Sequence, residues 1–355
     1  MRVTGQLIDG ATGGHVWADR FDRDLTDIFA IQDEITQAIV DQLKIKLLPK
    51  EKKAIEQATT INVEAYTHYL KGREFFHNST KAFLLLARRM FFKAVEADPL
   101  YARAYAGIAN CDSRLRGWYN VAKSSEEILA MASKAIALDP DLAEAYAARG
   151  VALANSNRGA EAAEAFESAL KLDPNSFDAN LSYARFCVTE DKTDRAIELF
   201  LRALEIAPDD SQAPLLVQQV LRSLERIEES ERYARLGLKR AEEALRLHPE
   251  SSRPAQLGAA AFASLGEYDR AKEWLSHAMA IDPDDNNCRY NAACTYAQMG
   301  EIELAFDMLE VWAVHAGSEQ EGWFKHDADL DPIREHPRYR VLLARIENIG
   351  PPVTA

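Results

Sequence analysis

Apolar residues follow a helical spacing over much of this chain, and the spacing starts afresh at regular intervals. Each interval predicts two helices, with small residues on both and one large residue on the second. In residues 143–176 these positions are Tyr146, Gly150 and Leu153, then Ala162, Phe166 and Ala169. In residues 177–210 they are Tyr183, Ala184 and Cys187, then Ala196, Phe200 and Ala203. Small residues let two antiparallel helices approach closely, so the pattern predicts helix pairs.

Prolines divide this pattern into units. They occur at Pro99, Pro140, Pro174, Pro208, Pro249 and Pro283, in steps of 41, 34, 34, 41 and 34 residues. Proline ends a helix because it lacks an N–H and clashes with the preceding turn. One helix pair cannot cover its own apolar face, whereas stacked pairs bury a continuous one. The regular step therefore predicts a repeat array.

The period of 34 residues and the small–large–small positions resemble the tetratricopeptide repeat. The resemblance covers residues 64–319 and implies a mainly α fold, a right-handed superhelix of helix pairs. The two longer steps indicate seven-residue insertions, one near 117–123 and one near 226–235. In the last unit Gly317 stands where the family has proline.

The first 50 residues do not follow the repeat. Alternating residues at 2–9 and 15–21, with a glycine-rich turn at 10–14, predict a β-hairpin. A helix ended by Pro49 is then predicted by an apolar stripe, Ile28, Ile31, Ile35, Ile39 and Leu43.

The stretches 3–9, 15–22 and 27–35 resemble the closing part of a TolB amino-terminal-like domain. In bacterial proteins such a domain commonly lies between an effector and a tetratricopeptide array. The effector is often a class III adenylate or guanylate cyclase, and sometimes a winged-helix DNA-binding domain. The resemblance implies that residues 1–50 are part of such a domain, and we expect an upstream effector to be missing. Two strands alone leave unpaired edges, so the hairpin could pair with another chain or lie on the first repeats.

Residues 320–355 are predicted to form a loop and a capping helix. Asp327, Asp329 and Asp331 have the spacing of a calcium loop, but Pro332 and Arg338 occupy the glycine and glutamate places. A loop that leads into the helix at 334–346 fits this stretch better than a calcium site does.

Composition and charge restrict the function. The chain has 47% hydrophobic and 28% charged residues, which predicts a folded protein. Its net charge of −14 argues against a nucleic-acid partner, because a phosphate backbone would repel it. The four cysteines form no CxxC pair, and no 18-residue apolar run or apolar leader is present. We therefore expect a cytoplasmic protein with reduced thiols and no membrane segment.

Residues with catalytic spacing are not found. The sequence has no phosphate-binding glycine loop, no HExxH pair and no GxSxG elbow, and its eight histidines are scattered. We therefore predict no catalytic residue, no cofactor and no metal.

The tetratricopeptide resemblance implies that a segment of a partner binds along the concave face, at places 2, 5, 9, 12 and 13 of each repeat. The candidates at or beside those places are Arg103, Asn110, Arg114, Glu144, Asn155, Asp178, Arg185, Gln256, Tyr290 and Asn291. Arginine and tyrosine make good anchors, since both bury area while forming directional hydrogen bonds. The family's carboxylate clamp needs lysines and asparagines in adjacent repeats, and only Asn110 fits it.

The predicted function is a scaffold or regulatory module that binds a peptide or helix of a partner, in a bacterial signalling protein. One alternative is the regulatory half of an adenylate or guanylate cyclase without its catalytic domain. Another is a structural protein that self-associates through the hairpin.

Overall fold

The computed structural model describes most of the chain between residues 62 and 347, together with an amino-terminal hairpin. The described residues are 2–8, 14–22, 34–35, 38, 62–78, 80–119, 121–315, 324–325 and 327–347. Within them, two strands and fifteen α-helices are formed.

The strands β1 (Arg2–Ile8) and β2 (His15–Asp22) pair antiparallel, with Thr4 opposite Arg20. The predicted hairpin is therefore confirmed. Trp17 covers Gly5, where an added Cβ would lie 3.0 Å from the indole ring. The helix predicted at 24–48 lies almost wholly outside the described residues.

The helices of the array alternate along the chain as first and second members of seven antiparallel pairs. Their bounds are α1 Val63–Asn78, α2 Lys81–Ala97, α3 Ala102–Tyr119, α4 Ser125–Leu138, α5 Ala143–Ala154, α6 Gly159–Leu172, α7 Phe177–Thr189, α8 Thr193–Ile206, α9 Gln212–Ser223, α10 Ile227–Leu247, α11 Ser252–Ser264, α12 Tyr268–Ile281, α13 Asn286–Gln298 and α14 Ile302–His315. Each pair packs on the next, so the predicted α-solenoid is confirmed.

Six of the second helices end two residues before a proline of the sequence pattern. At Asp98, Asp139 and Asp173 the backbone N–H donates back to the helix, and the carboxylate accepts from the N–H two residues on. The aspartate and proline therefore end the helix together, one by capping it and the other by blocking its continuation.

The turns inside the pairs repeat with the same stride. Positive φ angles occur at Asn157, Asp191, Glu225, Gly266 and Gly300, in steps of 34, 34, 41 and 34 residues. The residue after each one donates its N–H to a carbonyl five residues back, for example Lys192 to Cys187 at 2.8 Å. This is a Schellman-type helix end, which requires a left-handed residue.

The two insertions lengthen helices. With the first insertion, α3 is 18 residues long, whereas α5 is 12 residues long. The second lies in α10, which has 21 residues. Both positions agree with the insertion sites predicted near 117–123 and 226–235.

Close helix contacts depend on glycines beneath phenylalanine rings. Phe91 of α2 lies between Gly72 and Gly107, and an added Cβ at these positions would lie 2.6 Å and 2.8 Å from the ring. Gly150 faces Phe166 in the same way, at 2.8 Å. The phenylalanine thus joins its own pair to the next, as in Phe91 between α1 and α3.

The superhelix turns tightly enough for early and late repeats to meet. The hydroxyl of Tyr119 donates to the Asp282 carboxylate at 2.8 Å, and the backbone N–H of Lys81 donates to the same oxygen at 3.2 Å. Nζ of Lys81 also lies 3.8 Å from the Asp284 carboxylate. We call these contacts the closing contact.

A carboxy-terminal cap covers the last pair. It consists of a 3₁₀ segment, Ala328–Ile333, and helix α15, Pro337–Glu347. The apolar side chains Phe324, Leu330 and Tyr339 are buried against α13 and α14. Arg338 forms ion pairs with three carboxylates of α14, on Glu303, Asp307 and Glu310. Among the described helices, none has the length and apolar character needed to cross a bilayer.

The close contact between Gly150 and Phe166 predicts that a larger residue at position 150 destabilises the fold. Gly150→Ala places a methyl group 2.8 Å from the ring, so we expect a loss of about 1–3 kcal/mol in the free energy of unfolding. Urea denaturation measures the change. Gly117→Ala is the matched control, because its nearest neighbour is 3.6 Å away and alanine favours helix. Equal stability of the two variants would contradict this account of the packing.

Candidate docking surface inside the superhelix

The first helices of successive pairs line one side of the array. Helix α3 contacts α5, α5 contacts α7, and α11 contacts α13. The closing contact bends this row of helices so that α3 also contacts α13. One face of this row carries His77, Arg114, Asp178, Arg185 and Arg253, and we call it the inner surface. Charges within this set shift the pKa values of His77, Arg114 and Arg185.

Arg114 and Arg253 both approach the same indole ring. The Arg114 guanidinium carbon lies 5.2 Å from the ring centroid of Trp118 and 4.0 Å from that of Phe76. The Arg253 guanidinium carbon lies 5.5 Å from the Trp118 centroid. Desolvation lowers the pKa of both arginines, although Asp178 opposes the shift at Arg114.

Arg185 approaches from the α7 side. Desolvation, together with the charges of Arg253 and Arg114, lowers its pKa well below the ordinary value. We call Arg114, Arg185 and Arg253 the arginine cluster. They come from the second, fourth and sixth helix pairs, so only the curvature of the array brings them together.

Two of these arginines are held by neutral amides. Nη2 of Arg185 donates to the Gln212 side chain at 3.0 Å, and Nη1 of Arg253 donates to the Gln256 side chain at 3.2 Å. The Nε atoms of both are buried and have no hydrogen-bond partner within the described chain. The cluster therefore keeps unused donors.

Acidic side chains near the cluster are occupied by other donors. Asp210 accepts from the backbone N–H groups of Gln212 and Ala213, at 2.8 and 3.0 Å. Asp285 accepts from the backbone of Cys288 at 2.9 Å and from Gln256 at 2.6 Å. Burial raises the pKa of both carboxyls. Within the described residues, neither Arg185 nor Arg253 has a carboxylate at ion-pair distance.

The structure distributes the other candidate residues differently. Arg103 lies 3.6 Å from Glu144 of the next pair, and Asp178 is exposed on the inner surface. Asn155 donates to the carbonyl of Ser113 at 3.3 Å and so ties two pairs together. Asn110 and Asn291 are half-buried.

Gln256 and Tyr290 require correction as ligand contacts. Gln256 is 2% exposed, because it bridges Arg253 and Asp285. Tyr290 is 6% exposed, and its hydroxyl donates to Asp327 at 2.9 Å. Both support neighbouring side chains and do not face an open groove.

Sequence reasoning missed Arg253 and Trp118. Arg253 occupies the second place of its repeat, which is one of the predicted binding places, so the sequence contained a signal for it. Trp118 lies in the insertion that lengthens α3, outside the regular pattern. No repeat position could have indicated it.

A second polar cluster lies under the carboxy-terminal cap. Cys294, Asp327 and Asp329 offer three possible metal-ligand atoms within 4.8 Å of one another. Burial raises the pKa of Cys294 well above its ordinary value, which favours a protonated thiol, a poor ligand. Asp331 does not join them, because it pairs with Arg334 at 2.7 Å. The Cys294 thiol instead donates to the Asp327 carboxylate, with Sγ 3.7 Å from Oδ2.

Comparisons with known proteins agree with the repeat pattern. Two models of the tetratricopeptide repeat match residues 153–220 and 256–285. The helix pairs in those two stretches therefore match the tetratricopeptide repeat. Over 109 residues the chain is 40% identical to "Putative adenylate cyclase 3" of Rhizobium meliloti (strain 1021). That match covers 31% of this chain and 19% of the relative, so the chain spans only a small part of the relative's length.

Solved structures resemble the chain in fold alone. A monomeric mutant of IFIT1 with m7Gppp-AAAA has a TM-score of 0.52 at 14% identity, over 91% of this chain and 86% of that chain. Yeast Tom70 has a TM-score of 0.44 at 18% identity, over 91% of this chain and 63% of that chain. YrrB, described as a protein with an unusual peptide-binding site, has a TM-score of 0.33 at 21% identity, over 61% and 98%.

The cap cluster predicts a pH-dependent stability with a definite sign. Burial and the charge of Asp327 raise the pKa of Asp329 to about 7, whereas an unfolded aspartate titrates at about 4. Between these values the folded chain keeps a proton that the unfolded chain has released. The free energy of unfolding therefore falls as the pH rises from about 4 to about 7.

Asp329→Asn should remove this contribution. It is worth a few kcal/mol at most, since each pKa unit equals about 1.4 kcal/mol. Urea unfolding across this pH range measures it. Asp209→Asn, at an exposed turn, makes the same chemical change elsewhere and should keep the wild-type profile. An unchanged profile in Asp329→Asn would show that Asp329 does not hold the proton.

Proposed function

We propose that this tetratricopeptide-repeat protein is a scaffold whose inner surface docks a segment of a protein partner, as a peptide or a helix. The observation that carries the proposal is the inner surface itself. Titratable side chains from α1, α3, α7 and α11 approach one another there, although their helices are far apart in sequence.

The composition of the inner surface suits recognition of a partner. Arginine combines a broad apolar stem with directional donors, and it is enriched among the residues that dominate binding energy. Trp118 and Phe76 hold the guanidinium of Arg114 in place, which limits the freedom that binding would remove. An exposed carboxylate, Asp178, lies near this guanidinium and gives the surface both signs of charge.

Site-specific photo-crosslinking tests the docking surface. A benzophenone amino acid at Asp178, on the inner surface, should crosslink to a partner in cells. The same group at Lys134, exposed on α4, serves as the control and should not. Mass spectrometry of the crosslinked species identifies the contact.

Charge reversal at Arg103 and Arg185 should reduce the yield from Asp178 by about tenfold, because each loss of a charge-assisted hydrogen bond costs about 1.5–3 kcal/mol. Equal yields from Asp178 and Lys134 would contradict docking on the inner surface.

A second candidate is a regulatory part of a larger signalling protein. The 109-residue match to the adenylate cyclase relative favours it, and the docked segment would then belong to a cyclase in the same or another chain. The regulatory and signalling roles stay predictions, as do the cytoplasmic location and self-association through β1 and β2.

This second candidate predicts that the chain alone makes no cyclic AMP. Metal-assisted nucleotidyl transfer needs carboxylates that hold metal ions at the phosphates. In the described part of the chain, the one group with metal-ligand spacing contains a thiol whose pKa is raised. Chromatographic assay with ATP and Mg²⁺ should show no product, while a known adenylate cyclase in the same buffer does. Product that co-purifies with the chain would contradict the prediction.

A further inference from the structure

Two members of the arginine cluster, Arg185 and Arg253, carry donors that the described chain does not use. Arg185 and Arg253 each donate to one neutral glutamine side chain. Their Nε atoms are buried without an acceptor in the described chain. A buried donor without a partner destabilises the folded state, and more so when it is charged. An anion that accepted from these donors would remove this destabilisation.

The carboxylates around the two arginines are held by other donors. Asp210 and Asp285 lie near the cluster, but backbone N–H groups and Gln256 already take up their oxygens. Asp210 attracts Arg185 and Asp285 attracts Arg253, but neither forms an ion pair with its arginine in the described chain. The charges of Arg114 and Arg253 lower the pKa of Arg185, so the three guanidiniums lie near enough to repel one another.

Trp118 is shared by two of the arginines. Its ring centroid lies 5.2 Å from the guanidinium carbon of Arg114 and 5.5 Å from that of Arg253, so both cations approach an apolar surface. Exclusion of water by the ring strengthens charge interactions nearby. A planar guanidinium offers paired N–H groups to a carboxylate or phosphate, which a lysine cannot do.

We propose that Arg114, Arg185 and Arg253 form an oxyanion-binding site that receives the carboxylate or phosphate group of an acidic peptide. The proposal rests on the proposed docking function and names the class of peptide. A chain of net charge −14 repels a polyanion as a whole, so the site acts through local contacts. This favours a short acidic segment over a nucleic acid.

Isothermal titration tests the site with octaglutamate, and octalysine controls for attraction to the acidic exterior. Arg185→Gln with Arg253→Gln should weaken octaglutamate binding by about tenfold or more. The matched control, Arg235→Gln with Arg340→Gln, removes the same charge from exposed ion pairs and should bind as the wild type does. Competition by inorganic phosphate would identify phosphate as the preferred group, and its absence would identify carboxylate.

Thermal unfolding separates binding from a structural role. An arginine that only supports the fold destabilises it when removed. A desolvated and repelled cation does the opposite, so Arg185→Met should raise the melting temperature by about 2 °C or more while binding is lost. A lower melting temperature would overturn the proposal.

Other outcomes also decide the matter. Unchanged octaglutamate affinity in the Arg185/Arg253 variant, or no binding by the wild type, would overturn the oxyanion site. If crosslinking from Asp178 persisted in that case, docking would stand without it. An RNA oligonucleotide that bound more tightly than octaglutamate through the same arginines would overturn the peptide assignment.

Discussion

The fit of a phenylalanine ring into a glycine notch is the constraint on which this structure depends. Phe91 touches a glycine of its own helix pair and a glycine of the next, and neither position has room for a methyl group. Such contacts fix how closely successive pairs approach and at what angle. Because each pair repeats nearly the same rotation, a local packing rule determines the curvature of the whole array.

That curvature is what produces the functional surface. Arg114, Arg185 and Arg253 lie on alternate helix pairs and meet only because the array turns back on itself. The packing of the repeats offsets the repulsion between these like charges. Asp282 holds the curved array in place through its hydrogen bonds with Tyr119 and Lys81. Stability and function therefore depend on the same repeats, because their close packing tolerates like charges near one another.

The sequence predicted the architecture because its signals are local. The steps between prolines match the steps between left-handed turn residues, from Asn157 to Gly300, so one period describes both ends of each pair. The site was less predictable. Contact between α3 and α13 follows from small rotations accumulated over five pairs, which no residue encodes. Gln256 and Tyr290 occupy binding places but are buried by neighbours that the repeat does not specify, whereas Arg253 occupies such a place and approaches Trp118.

The closing contact also has a kinetic meaning. A segment that reaches the arginines must pass in by a free end, or it must wait until Asp282 separates from Tyr119 and Lys81. The first route selects termini and unfolded stretches over folded domains. On the second route, the association rate depends on how often the closing contact opens. On either route dissociation is slowed as much as association. The closing contact therefore makes binding slower and the bound state longer-lived.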